Sequence, residues 1–379
     1  MGVDVHGFTA RGFERVRELF AANFERDDAY REIGSSFSAY RGEDLILDLH
    51  AGYRDAARTV PWTADTLVNI WSATKGVTAL EVAVLVDRGL LNYAAPVAQY
   101  WPEYAQNGKG QTTVAQLMSH QAGLPGFQEP TPLKDFYDWE IVISRLARQA
   151  PMWEPGTKNS YHAMTYGFLA GELVRRASGM RVGEFLAREV AGPLKADVFI
   201  GLPEREEHRV APLVPSSVQK PFDRKSMPLE AVTAVTNPDM APTLPNDRAW
   251  RKAEIPAGNG HATALGLARL YAMAANGGTF DGVTLMKPNT VKALNTVQTT
   301  RPDILLGIAP MWRNGVAGSI MKMFGPNPDT FGHPGWGGSF GCADTENRIA
   351  IGYVLNQMGD HTIGDPRGTA LCNALYECL

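Results

Sequence analysis

The chain is poor in cysteine: Cys342, Cys372 and Cys378 are the only three in 379 residues. So few, so placed, make neither a disulfide framework nor a zinc pattern. None of the eight histidines falls in a His-Glu-x-x-His arrangement, which disfavours a metal enzyme. Long apolar runs are missing too. No stretch reaches the roughly eighteen residues a membrane-spanning helix needs, so no partner membrane is expected. Neither sign of charge dominates, with 36 basic against 40 acidic residues and no basic run, which argues against nucleic acid as a partner. The first thirty residues are polar, with Phe13, Val16, Leu19, Phe20 and Phe24 at helical spacing. They read as a surface helix rather than the apolar core of a secretion signal, and cytoplasm is the default expectation. There is no internal repeat and no low-complexity tract. Gly258-Asn-Gly260 forms no phosphate loop, and no nucleotide fingerprint follows a strand.

A chain this long can bury a large core and form two lobes. Residues 35–53 read as a hairpin turning at Arg41-Gly-Glu-Asp44, its second arm alternating in hydrophobicity. The same grammar returns near the other end, where 338–343 and 348–356 flank the turn residues Asp344-Thr-Glu-Asn347, before a final helix over 366–378. Helices are expected over 113–119, 135–148, 161–177 and 182–190. From 202 to 256 prolines are frequent and periodicity is poor, the mark of functional cover or of a mobile segment. The expected fold is α/β (an α+β sandwich): an antiparallel sheet built from both termini and flanked by helices. Residues 1–85 plus 256–379 would make that domain. A mostly helical inserted domain, 86–255, would include the cover segment at about 202–255.

Ser72-Ala-Thr-Lys75 opens a long apolar helix pattern that closes at Asp87-Arg-Gly89. Three residues apart on a helix, Lys75 sits over Ser72. A serine hydroxyl needs a base, and lysine can be one if it is neutral. Burial and the positive end of the helix dipole both favour the neutral amine. Two further tetrads, Ser217 to Lys220 and Ser319 to Lys322, lack such a helix. Ser72 could equally be an ordinary N-cap.

Tyr161 follows Asn159 and Ser160, either of which could cap the next helix and leave the phenol at its entrance. A Lys75 cation nearby would favour phenolate; a buried aromatic anchoring a loop is the plainer reading. In Phe331-Gly-His333-Pro-Gly335-Trp336-Gly-Gly338, glycines allow close backbone approach, and the strand edge can offer an N–H to an oxyanion. His333 is either a donor or a turn histidine. Gly337-Gly-Ser339-Phe-Gly341 imitates a nucleophile elbow, with Asp360-His361 downstream, but lacks the strand before and the helix after that an elbow requires. His120 reads as a structural residue satisfying turn carbonyls.

Taken in order, these motifs resemble the serine β-lactamase and penicillin-binding-protein superfamily, and within it the class C β-lactamase-like esterases known as family VIII carboxylesterases. The resemblance covers nearly the whole chain. It rests on Ser72-x-x-Lys75, the Leu-Met-Ser-His120-Gln-Ala-Gly-Leu segment and Pro-Gly-x-x-x-x-Tyr161. It continues through Gly258-Asn-Gly-His-Ala-Thr263 and Asn276-Gly-Gly to Gly-His333-Pro-Gly-Trp-Gly-Gly. It implies a β-lactamase/transpeptidase-like fold with the site between the two domains. It also implies Ser72 as nucleophile, Lys75 as base or its partner, Tyr161 as third member, and backbone N–H groups of Ser72 and Trp336 as the oxyanion hole. His333 stands where penicillin-interacting members usually carry lysine, and Ala163 where many β-lactamases carry asparagine. Both departures point away from β-lactams and toward neutral esters, with His333, Gly335, Trp336, Trp71 and Trp153 as substrate-binding residues.

The expected activity is a serine carboxylesterase acting on small, short-chain acyl esters through an acyl-enzyme, with no metal or other cofactor. An acyltransferase or small-amide hydrolase of the same fold, with weak β-lactamase side activity, is the nearest alternative. A non-catalytic ligand-binding relative is the alternative of another class. Beyond the ester, no partner is implied, and homo-oligomerisation stays open.

Overall fold

A computed structural model describes residues 2–218 and 224–379. Among these, a seven-stranded antiparallel sheet takes its strands from both ends of the chain. Val5–Thr9, Asp44–Gly52 and Gly34–Arg41 lie side by side, followed by Ile349–Leu355, Phe340–Asp344, Phe331–Pro334 and Ala317–Gly318. Strand Ile349–Leu355 shows how the sheet becomes the middle of a sandwich. Ile349, Ile351, Tyr353 and Leu355 point to one face, where they meet Val16, Phe20, Leu371 and Leu375 of the two terminal helices, Glu14–Ala22 and Pro366–Glu377. Ala350 and Val354 point to the other, toward helix Ala264–Ala275. The period of two in the strand divides the core between two helical layers. Gly352 lets that inner helix come close: a Cβ there would lie 2.2 Å from the Ala264 carbonyl oxygen.

Helix Ala73–Asp87 is buried on every side from Ala73 to Leu85, which fits its almost uniformly apolar sequence. It packs against helix Thr165–Ser178 on one side and strand Phe331–Pro334 on the other. Gly89, left-handed at φ 71°, ends it as the sequence signal suggests. A second, four-stranded sheet pairs Leu67–Asn69 and His261–Ala262 with Val198–Phe199 and Val210–Ala211. Strand pairing thus ties the middle of the chain to the segments on either side of helix Ala73–Asp87.

Several expected boundaries move. The helix after Tyr161 begins at Thr165, with Met164 at its N-cap, so neither Asn159 nor Ser160 caps it. Asn159 is instead drawn to Asp303 and Thr299. Residues 133–137 form a separate turn of 3-10 helix before Trp139–Arg148, because Asp138 caps the latter through the Ile141 N–H. Edge strand Val5–Thr9 was not expected. Only Val5 in it is buried, so it carries no hydrophobic alternation.

Candidate active site

Three backbone devices bring Ser72 to the surface of a cavity. Trp71 is left-handed at φ 42°, a conformation costing a non-glycine residue roughly 1–2 kcal/mol. It is held there by its N–H donating to Asn69 Oδ1 at 2.9 Å and by its ring packing between Trp250 and Trp336. Ser72 itself already has helical angles, and its hydroxyl caps nothing, so the N-cap reading fails. The segment Pro256–Gly260 then runs along the helix start. It accepts hydrogen bonds from Thr78 Oγ1 at the Pro256 carbonyl and from Asn69 Nδ2 at the Gly258 carbonyl.

Lys75 Nζ lies 3.1 Å from Ser72 Oγ and donates to the Ala257 carbonyl at 2.8 Å. The side chain is fully buried and has no carboxylate partner among the described residues. Burial therefore drives its amine well below the usual lysine range. A neutral amine has two N–H donors and one lone pair. One N–H goes to Ala257, the neutral form would leave its lone pair available to the Ser72 hydroxyl 3.1 Å away, and the Nζ stands 4.7 Å from the centre of the Tyr161 ring.

Tyr161 is buried, and its phenol is near enough to Ser72 to feel its hydroxyl. Burial raises its phenol, and the negative Asp303 nearby adds to the rise, whereas the Ser72 hydroxyl opposes it. The expected phenolate is corrected: burial pushes the phenol up rather than down, and it holds the Lys75 amine well below its usual range instead of favouring a cation beside it. The Ser72 hydroxyl thus stands next to both the Tyr161 phenol and Lys75 Nζ, two groups able to exchange protons with it. Asp303, which the sequence did not single out, fixes the Tyr161 loop. It accepts the main-chain N–H of Tyr161, Leu305 and Leu306 at 3.0–3.1 Å and the Trp312 indole N–H at 3.0 Å.

The loop after Phe331–Pro334 reaches Ser72 because residue 335 is glycine. A Cβ on Gly335 would sit 2.2 Å from the Ile70 carbonyl oxygen, two residues before Ser72. Among the described residues, neither the Ser72 nor the Trp336 N–H has an acceptor, whereas Gly335, Gly337 and Gly338 N–H are all bonded. Two free donors beside a reactive hydroxyl would be the makings of an oxyanion site.

Ser72, Tyr161, Trp71 and Trp336 open onto a cavity of about 670 Å³. Met164, Met240, Leu305, Leu306, Ile308 and Met321 give it apolar walls, with Ala163 in the place of the absent amide. The charged groups lining it are Arg224 and Asp239, which pair with each other at 2.6 Å. The irregular stretch is cover in fact: residues 234–236, 239, 240 and 242 form part of the wall. Asn237 pins that stretch to the Phe127 carbonyl and the Thr131 N–H.

Not every expected binding residue reaches the cavity. Trp153 lies outside its lining, with its indole N–H on the Gln121 carbonyl and its ring against His162. Gly335 acts through Ile70 rather than as wall. His333 is buried behind the site, its Cβ side against Gly76 and its ring beside Tyr161 and Trp312. Its Nδ1 donates to the Pro334 carbonyl at 2.8 Å, and burial with Lys75 close by lowers it to about 3, so it offers no charge to a ligand. His120 is structural but not as expected. Left-handed at φ 62°, it accepts the His162 N–H on Nδ1 instead of serving carbonyls. Ser319 sits in a turn, its hydroxyl on the Gly325 carbonyl, and the Ser217 tetrad runs into Gln219 and Lys220, outside the described residues. Ser339 follows a glycine turn and leads into strand Phe340–Asp344, without the strand–serine–helix frame of an elbow.

Residues 20–373 match the beta-lactamase family. The esterase/beta-lactamase LipL of Mycobacterium tuberculosis (strain ATCC 25618 / H37Rv) is 34% identical over 372 residues, covering 94% of this chain and 84% of that one. A solved family VIII carboxylesterase superposes with a TM-score of 0.94 at 43% identity, covering 99% of this chain and 100% of the other. A penicillin-binding protein homologue from Caulobacter crescentus gives 0.94 at 39%, with the same coverage.

Proposed function

The chain belongs to the beta-lactamase family, and from that premise we propose that it is a serine carboxylesterase working through an acyl-enzyme on Ser72. The observation that carries this reading is the fully buried Lys75 at 3.1 Å from Ser72 Oγ, its amine pushed well below the usual lysine range by burial. The esterase names of its relatives agree with it.

In the proposed reaction, the Ser72 oxygen attacks the ester carbonyl as its proton passes to Lys75 Nζ. The carbonyl electron pair moves onto oxygen, where the N–H groups of Ser72 and Trp336 receive it. The intermediate collapses by expelling the alkoxide. Tyr161 gives that alkoxide its proton and recovers one from Lys75, returning the amine to its neutral state. Water then attacks the acyl-enzyme with Lys75 again as base, releasing the acid and Ser72.

The cavity favours uncharged esters with apolar substituents, short acyl chains among them. No unpaired cation stands on its wall among the described residues: His333 is neutral and buried, and Arg224 is matched by Asp239. The test compares p-nitrophenyl butyrate with a carboxylate-bearing β-lactam. An ester kcat/KM at least ~100-fold higher, about 2.7 kcal/mol of preference, is expected. Equal efficiencies would contradict the reading.

A further inference from the structure

Behind the Gly335–Gly338 turn lies a buried guanidinium that the reaction above does not use. Arg367 enters the C-terminal helix just after Pro366 and is fully buried. Its Nε and Nη2 clasp the Asp365 carboxylate at 2.9 and 2.7 Å. Nη1 donates to the Gln357 carbonyl at 2.9 Å and the Tyr30 carbonyl at 3.4 Å, with a Glu32 oxygen 3.5 Å away. The remaining contact is functional in its placement: Nη2 donates to the Gly337 carbonyl at 3.0 Å. A planar fork with five donors can hold all these groups at once, which a lysine cannot.

Gly337 O belongs to the same peptide plane as the Gly338 N–H. That N–H donates to the Gly335 carbonyl at 3.1 Å. Gly335 O in turn shares its plane with the Trp336 N–H, the donor left free beside Ser72. Fixing the first plane therefore fixes the second. The fit is tight from behind. Asp365 Oδ2 would lie 2.8 Å from a Cβ on Gly338 and 2.6 Å from one on Gly359, so the carboxylate fills the space those glycines leave.

We propose that Arg367 is a positioning residue for the oxyanion site. Through the Gly337–Gly338 and Gly335–Trp336 peptide planes it aims the Trp336 N–H at the carbonyl bound on Ser72. The proposal rests on the oxyanion role given to Trp336 in the preceding section. Its buried charge is matched by the Asp365 carboxylate, which is what allows a guanidinium to be placed there.

The test uses the full chain with Arg367→Lys and, as a milder change, Asp365→Asn, which puts an amide N–H against Nη2. Active sites are counted by prolonged fluorophosphonate labelling. kcat and KM are measured with p-nitrophenyl butyrate, and affinity with an alkyl trifluoromethyl ketone, whose Ser72 adduct carries an oxyanion. The expected result is a kcat per labelled site at least ~tenfold lower with KM within about twofold, as befits a transition-state contact. Ketone affinity should fall in step with kcat/KM. Asp365→Asn should move the same readouts in the same direction, and it decides the matter by itself if Arg367→Lys yields no folded protein. Unchanged kcat per labelled site and unchanged ketone affinity would overturn the proposal, because a purely structural arginine would only reduce the number of labelled sites. A wild-type chain without a Ser72 adduct would overturn the function reading and this one with it. A Ser72 adduct with unaltered variant kinetics would overturn this one alone.

Discussion

The Asp303 carboxylate accepts the main-chain N–H of Tyr161 at 3.0 Å, so a loop 142 residues away in sequence decides where the phenol stands. The same carboxylate takes the N–H groups of Leu305 and Leu306 and the Trp312 indole. The Trp312 ring stacks on Tyr161 with centroids 5.6 Å apart, the two planes nearly parallel at 7°. Asp303→Ala would leave these donors buried and unpaired. It should cost about 3–5 kcal/mol of stability, as for other broken buried charge networks, and lower kcat by more than tenfold in the protein that folds. Thermal unfolding and steady-state kinetics check the two effects separately.

Lys75 links activity and stability with opposite signs. Unfolded, its amine titrates near 10.4 and is charged at neutral pH; folded, burial holds it well below that. The unfolded chain therefore binds the extra proton, and this group's contribution makes stability rise with pH up to the unfolded value. Lys75→Met should abolish esterase activity yet raise the unfolding temperature at pH 7, with the gain vanishing as pH approaches 10.4. In the wild type, kcat/KM should fall on the acid side as Lys75 takes up its proton. A Lys75→Met variant less stable than wild type at pH 7 would contradict the neutral assignment.

Tyr161→Phe removes the phenolic hydroxyl while leaving the ring between Trp312 and Lys75. The expected loss in kcat is roughly 10²–10⁴-fold, the usual range for a positioned acid, with little change in unfolding temperature. Esters with better leaving groups need less protonation, so p-nitrophenyl esters should suffer less than ethyl esters. Equal losses on both would argue that the phenol is structural.

Gly335→Ala tests the approach of the Trp336 N–H. The added Cβ would meet the Ile70 carbonyl oxygen at 2.2 Å and push the loop away from the nucleophile turn. A loss of about 10²–10³ in kcat is expected, the range seen when one oxyanion donor is removed. Fluorophosphonate labelling should slow in parallel.

The parts of this site that could be read from sequence are those that obey a local period or a close backbone approach. Ser72 and Lys75 stand out because a long, mostly apolar helix follows them. The Gly335–Gly338 run stands out because glycines in a strand-to-strand turn mark a place where backbone meets backbone. Strand 44–52 is visible through alternation and strand 349–355 through the hairpin grammar it repeats, and strand 5–9 is not, since four of its five residues are not buried. Asp303 and Arg367 left no signal. Each is one charged residue in a sequence with many, and its meaning arises only when distant loops close around it. Trp153 misled for the opposite reason: an aromatic is equally suited to a cavity wall and to a core, and the fold placed it on the Gln121 loop. The cover segment was legible as irregular but not in its contacts, because Asn237 anchors it through side-chain bonds to residues more than a hundred positions away.

The most direct measurement is intact-mass analysis after brief exposure to p-nitrophenyl butyrate and, separately, to a fluorophosphonate, with wild type and Ser72→Ala side by side. The acyl-enzyme account predicts one adduct per chain on the wild type with each reagent and none on Ser72→Ala. An adduct that persists in Ser72→Ala, or esterase activity near the wild-type level in that variant, would contradict it.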